Sequence, residues 1–206
     1  MDMHTRVVEL LDFAFSRRNL VRGSIATAGA VALTSNVALG RAFALQGMTD
    51  LEIANFALTL EHLEARMYQQ MLATNILTGK ELTYFQSFGS HEAAHVDALT
   101  KMIQGAGGTP VQAQATYNFP PFNNRGDILN FAKTAEELGV GAYQGAASAI
   151  SSRDILAAAG SIVQVEARHA AIVRMLMDPD TAVPQATTQS LTVEQVTNTV
   201  KPILGA

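Results

Sequence analysis

Two Glu-x-x-His motifs, Glu92-x-x-His95 and Glu166-x-x-His169, constrain this chain more than any other feature of its sequence. Three residues is close to one helical turn, so each motif puts a carboxylate and an imidazole on one helix face. Composition alone predicts about 0.2 such pairs in a chain of this length, so one match says little and two must be judged by context. The context repeats. Glu61 precedes Glu92 by 31 residues and Glu136 precedes Glu166 by 30, and Tyr68 and Tyr143 each follow their glutamate by seven, nearly two turns. The order Glu, Tyr, Glu-x-x-His thus occurs twice, about 75 residues apart, as an internal repeat.

Hydrophobic periodicity around these residues predicts an all-α fold of four helices. The first covers 50–77, opened by a capping box at Thr49-x-x-Glu52 and stopped near Gly79. The second covers 80–105, ending at Gly105, Gly107 and Gly108 with Pro110 behind them. The third covers 127–150, with Arg125-Gly126-Asp127 as its entry, and the fourth 153–177, ended by Asp178-Pro179. Short links make helices 1 and 2 antiparallel neighbours, and likewise helices 3 and 4. Residues 106–126 carry Gly, three Pro, Asn123 and Asn124 without periodicity. A connection that long is uncommon in a compact domain, except in a bundle with one long crossover. Residues 179–206 form a tail with one short helix capped near Thr192-x-x-Gln195.

In an antiparallel bundle the helix midpoints meet at one level. Glu61, Glu92, Glu136 and Glu166 each lie within about 4.5 Å of their helix midpoint along the axis, so the four carboxylates converge. Their faces are apolar: Ala57, Leu58, Ala65 and Tyr68 flank Glu61, and Ala132, Gly139, Val140 and Tyr143 flank Glu136. An unpaired buried ion costs several kcal/mol, and four together also repel. Two divalent cations would balance four negative charges, with His95 and His169 each completing one ion; a polar core network is the competing reading. Glu137 lies about 100° around the helix from Glu136, on a side with Lys133, Thr134 and Gln144, and aligns with His62 in the repeat, so Glu136 is chosen. Glu64 aligns with Gly139 and is not supported as a symmetric ligand. It reads as a surface-leaning structural carboxylate, an extra ligand or the partner of an arginine such as Arg168. Tyr68 and Tyr143 read as core residues bonded to the ligand carboxylates, and His91 as an exposed or rim histidine. The glycines Gly139, Gly141 and Gly145 imply close helix contact or room for a small ligand.

The chain contains no Cys, so disulfides, thiolate metal sites and Cys nucleophiles are excluded together. Its net charge of -4 carries no basic footprint for nucleic acid. The first 44 residues read as an export signal. Ser16-Arg17-Arg18-Asn19-Leu20 has the twin-arginine pattern, Gly23 to Leu39 is moderately apolar but too short and polar for a stable membrane span, and Ala42-Phe43-Ala44 offers a cleavage site. The expected organisation is a signal at 1–44, a four-helix bundle at 45–178 and a tail at 179–206, with the mature protein periplasmic or extracellular.

With these motifs in this order, the sequence resembles the ferritin-like superfamily of di-metal carboxylate proteins, whose pattern is one Glu from each of two helices and Glu-x-x-His from the other two. The stretch Asn55-Phe56-Ala57-Leu58-Thr59-Leu60-Glu61-His62-Leu63-Glu64-Ala65 with Tyr68 further resembles exported ferritin-like proteins related to plant desiccation-related proteins. The resemblance implies Glu61, Glu92, His95, Glu136, Glu166 and His169 as metal ligands, with Glu92 and Glu166 bridging. Oxygen and imidazole ligands suit iron or manganese, with zinc as a further option. The expected activity is the handling of dioxygen or peroxide in stress protection, by oxidase, peroxidase or manganese-catalase-like chemistry. A non-enzymatic stress protein with a metal-stabilised core and an iron store are the alternatives. A homo-oligomer is left open.

Overall fold

The computed structural model describes residues 48–183 and 186–205. The expected export signal and its expected cleavage site lie outside the described residues. Among the described residues five α-helices follow one another: α1 (Asp50–Ala73), α2 (Gly79–Gly105), α3 (Arg125–Ala147), α4 (Arg153–Met177) and, after a 3-10 turn at Pro179–Thr181, α5 (Val193–Leu204). Helix α1 packs chiefly on α2 and α3 on α4; the two hairpins meet through α1 against α3 and α2 against α4. The architecture is the expected antiparallel four-helix bundle with one long crossover between the second and third helices. Among the described residues no helix is long and apolar enough to cross a membrane.

Local chemistry sets the helix ends. Thr49 and Glu52 form a reciprocal capping box, as do Thr192 and Gln195, each satisfying N–H groups that a helix start leaves open. Helix α1 stops at Ala73, four residues before the expected end, because the Thr74 hydroxyl donates back to the Met71 carbonyl at 2.7 Å and Asn75 adopts a left-handed backbone with φ 57°. Helix α3 begins two residues earlier than expected, capped by Asn124, whose side chain accepts from the Asp127 N–H. It ends at Ala147, three residues early. The turn into α4 is fastened to the start of α1, where the Asp50 carboxylate accepts from the N–H groups of Ser151 (2.9 Å) and Ser152 (2.6 Å). The α3–α4 hairpin is thereby held level with the first one.

The crossover is anchored although it has no helix of its own. The Asn55 side chain donates to the Thr109 carbonyl and accepts from the Val111 N–H, and Asn118 N–H donates to the Ile203 carbonyl of α5. Tyr117, Phe119, Phe122 and Phe131 form a chain of aromatic contacts along it. These bonds to α1 and α5 hold a 19-residue connection against a compact bundle.

Two apolar layers fill the bundle at its ends. One gathers Met67, Tyr68, Met71, Phe85, Phe88, Leu129 and Val173; the other gathers Ala54, Leu58, Leu99, Ile103, Ala159 and Ile162. Between them lies a layer of buried charge. Helix α5 covers a third apolar group, with Val196 and Val200 packed on Leu60, Leu63 and Ala142. The segment leading into α5 comes so close to α3 that a Cβ on Gly145 would sit 1.8 Å from the Leu191 carbonyl oxygen. Leu191 N–H also donates to the Gly141 carbonyl at 2.8 Å. Close contact therefore explains Gly141 and Gly145, although the partner is the C-terminal segment and not another bundle helix.

Candidate metal centre

Each bundle helix sends a glutamate into the charged layer, where Glu61, Glu92, Glu136 and Glu166 are all 0% exposed, and α1 adds a second, Glu64, at 3%. They come with His95 and His169, one turn beyond Glu92 and Glu166. The ring nitrogen His95 Nδ1 lies 3.1 Å from Glu61 Oε2, 2.9 Å from Glu92 Oε2 and 3.2 Å from Glu166 Oε1. His169 Nδ1 lies 3.0 Å from Glu92 Oε1 and 3.3 Å from Glu136 Oε2. Two overlapping groups result: Glu61, Glu92, His95 and Glu166, and Glu92, Glu136, Glu166 and His169, each offering ligand atoms within 4.8 Å of one another. Glu92 and Glu166 belong to both, which is the placement required of bridging carboxylates.

The sequence repeat is visible as an approximate two-fold symmetry. Tyr143 donates its hydroxyl to Glu61 Oε1 at 2.5 Å, and Tyr68 donates to Glu136 Oε1. Each tyrosine thus holds the outer oxygen of the lone glutamate from the other half and leaves Oε2 facing inward. Phe85 and Phe88 meet the Tyr68 ring edge-on, and Phe88 lies against His169 with ring centres 4.2 Å apart. These rings keep water from one side of the cluster.

The donor set fits divalent cations on three counts. First, Glu92 Oε1, Glu136 Oε2, both oxygens of Glu166 and His169 Nδ1 are buried without a hydrogen-bond partner. Glu92 Oε1 and Glu136 Oε2 lie within ion-pair range of His169 Nδ1, and Glu166 Oε1 of His95 Nδ1, but none is aligned for a hydrogen bond, and native proteins rarely leave so many buried polar atoms unsatisfied. Second, His95 Nδ1 is near three oxygens at once, whereas one N–H can satisfy only one well. Octahedral ligands about 2.1 Å from an ion stand about 3.0 Å from each other, which is the spacing found here. Third, nitrogen and carboxylate oxygen without thiolate is a donor set for iron, manganese or zinc.

Without cations the charges distort one another. Burial pushes the Glu61 and Glu166 carboxyls up to about 8 and raises Glu136 as well. Burial would raise Glu92 too, but His169 and His95 outweigh it and take it down to about 2. For His95, burial opposes the charge, yet Glu166, Glu61 and Glu92 together push it up to about 12; His169 reaches about 9 against the same opposition. The imidazoles do the work of cations in this arrangement.

Two residues differ from their sequence reading. Glu64 is not surface-leaning: it is 3% exposed, and Arg168 is exposed and donates to the Gln164 carbonyl in its own helix. The repeat explains the burial. Glu64 stands where the second half has Gly139, and a Cβ on Gly139 would lie 3.3 Å from Glu64 Oε1 and 3.1 Å from Glu166 Oε2. The missing side chain on one helix is the space that the carboxyl of the other occupies. His91 is exposed as expected, but it also contacts the cluster, with Nδ1 2.9 Å from His169 Nε2. When His169 donates Nε2–H to His91, its Nδ1 turns a lone pair inward, the state that a metal ligand needs. The available signal was that His91 lies one turn before His95; the repeat gave none, because Val165 holds the matching position. Glu137 pairs with Arg174 at 2.6 Å at the bundle surface, and Glu136 is the inward residue.

Comparison with known proteins agrees with this architecture. None of the curated proteins matches the sequence. Among solved structures, a conserved hypothetical protein, rv2844, from Mycobacterium tuberculosis is similar, with TM-score 0.58 and 18% identity over 63% of this chain and 98% of that one. A dodecameric thioferritin, the bacterioferritin-related protein from Bacteroides fragilis, is similar with TM-score 0.56 and 19% identity over 69% of this chain and 95% of that one. At these identities the likeness concerns the fold. The sequence pattern that defines a ferritin-like domain matches residues 49–179, the four bundle helices and their crossover. With that match over more than half of its length, the chain belongs to the family of ferritin-like domains.

Proposed function

We propose that this protein is an exported di-metal protein that binds two ions of iron or manganese and handles dioxygen or peroxide in protection against stress. The observation that carries the reading is the set of inward, unpartnered donor atoms divided into two overlapping groups. Glu61 and His95 would serve one ion and Glu136 and His169 the other, with Glu92 and Glu166 shared. Paired ions held there would supply redox chemistry for a small oxygen species.

The chain's own residues prepare that site. Tyr68 and Tyr143 fix the outer oxygens of Glu136 and Glu61, so the inner oxygens keep their direction without a metal. His91 sets the tautomer of His169. Phe85 and Phe88 exclude water on the Tyr68 side, which strengthens every charge interaction inside. Gly139 leaves space beside Glu166. The export signal at 1–44 fits this reading, because the twin-arginine pathway moves folded proteins, often with their cofactor already loaded.

A metal-stabilised structural protein is the second reading. It is favoured by the five buried carboxylates, which destabilise the bundle unless cations or protons compensate them. Peroxide consumption by the mature protein loaded with manganese or iron separates the two. Turnover lost in Glu92→Ala supports the enzymatic reading, and loaded protein inert towards both peroxide and dioxygen leaves the structural one. Sizing the mature protein tests storage, which calls for a closed multi-subunit shell.

A further inference from the structure

A cavity of about 130 Å³ lies between α1, α3 and α5, outside the six residues assigned to the metals. Leu60, Leu63, Phe131, Leu138, Val200 and Ile203 make its apolar walls, and the exposed Thr134 and Thr199 stand at its solvent edge. One ionisable side chain lines it, Glu64, which is 3% exposed and has no hydrogen-bond or ion-pair partner among the described residues. Gly139 also lines it, and it is Gly139 that allows the Glu64 and Glu166 carboxyl groups to lie side by side. The cavity therefore runs from the bundle surface to the flank of the charged cluster and ends on the Glu64 carboxyl group.

We propose that this cavity binds a small neutral molecule with an apolar body and a single hydroxyl group, about the size of phenol, its hydroxyl on Glu64. The volume is close to the apolar cavity of about 150 Å³ that admits benzene, and well above the share of about 30 Å³ that one water occupies. Water would satisfy the carboxyl group and leave the apolar walls unrewarded. An anion would face Glu64 and Glu166 together. A hydroxyl both donates and accepts, so it matches Glu64 in either protonation state. Helix α5 closes the cavity, which gives that helix a role besides covering α1 and α3.

The test is a calorimetric titration of phenol into the mature chain, metal-free and after loading with manganese. Saturable binding of one phenol per chain is expected in both forms. Ala135→Leu and Val200→Phe fill the cavity from opposite walls and should weaken phenol binding by about ten-fold or more. Glu64→Leu should weaken it by about ten-fold, the loss expected of one buried hydrogen bond, while Glu64→Gln keeps most of it. Circular dichroism identifies any filled variant that has not folded, and the Glu64 pair then decides. The proposal is overturned if wild type shows no saturable phenol binding, if folded Ala135→Leu and Val200→Phe both bind as wild type does, or if Glu64→Leu and Glu64→Gln bind alike. Its failure is distinct from failure of the metal reading: phenol binding by a protein that takes up no metal leaves the cavity standing, and two bound ions without phenol binding do the reverse.

Discussion

Removing metal from this protein and then raising the pH should unfold it, the opposite of the usual loss of stability in acid. In the metal-free fold Glu61 and Glu166 move from 4.5 up to about 8, so the stability they contribute is complete below pH 4.5 and is lost as pH rises through 8. His169, raised from 6.5 to about 9, contributes fully below pH 6.5 and loses it through 9, and His95, raised to about 12, follows higher still. Glu92 has the other sign: lowered to about 2, its contribution is present above 4.5 and lost only as pH falls through 2. Between pH 5 and 7 the folded chain thus holds more protons than the unfolded one. Each such carboxyl costs about 2–3 kcal/mol over that interval, so the pair costs about 5 kcal/mol, comparable with the whole stability of a small domain. Urea denaturation of chelator-treated protein at pH 5 and pH 7 should show a midpoint lower by about 1 M or more at pH 7. Protein loaded with manganese should show the reverse trend, because the ions take the place of the protons. Metal-free protein as stable at pH 7 as at pH 5 would refute the reasoning, since the buried carboxylates would then be compensated by something other than protons or cations.

Tyr68→Phe and Tyr143→Phe each remove one buried hydrogen bond to a glutamate and should each cost about 1–3 kcal/mol in thermal or urea unfolding. Gly145→Ala forces a Cβ onto the Leu191 carbonyl and should lower the melting temperature. Gly160→Ala, where nothing lies within 4 Å, should raise stability by about 0.5–1 kcal/mol through helix propensity; equal effects from the two would show that the α5 segment does not pack on α3 as described. Arg17→Lys combined with Arg18→Lys should block export, and the exported wild type should begin at Leu45 on N-terminal sequencing; normal export of the double variant removes the twin-arginine reading.

The bundle could be read from the sequence because its constraints are periodic. Helix starts carry their own chemistry, as at Thr49-x-x-Glu52 and Thr192-x-x-Gln195. Two copies of one spacing identified Glu136, not Glu137, as the inward residue of α3, and the structure buries Glu136 while Glu137 meets Arg174 at the surface. What the sequence concealed depended on asymmetry between the halves. Glu64 reads as surface-leaning and not as a symmetric ligand because its repeat position is Gly139, yet the absence of a side chain there is what lets Glu64 sink into the core. His91 has no counterpart in the second half and acts across helices on His169, a contact that no periodicity within α2 reveals. The early end of α1 follows from the Thr74 side chain and the left-handed Asn75, local choices that a hydrophobic pattern running on to Leu77 hides.

The most direct test of the account is the metal content of the mature chain after reconstitution with manganese or iron, measured by elemental analysis on wild type, Glu136→Ala and Glu137→Ala. Two ions per chain are expected in wild type and in Glu137→Ala, whose side chain belongs to the surface pair with Arg174, and Glu136→Ala should lose the ion shared with His169. Wild type that takes up no metal, or Glu137→Ala that empties the site while Glu136→Ala stays full, would contradict the central claim that these buried carboxylates exist to hold a pair of cations.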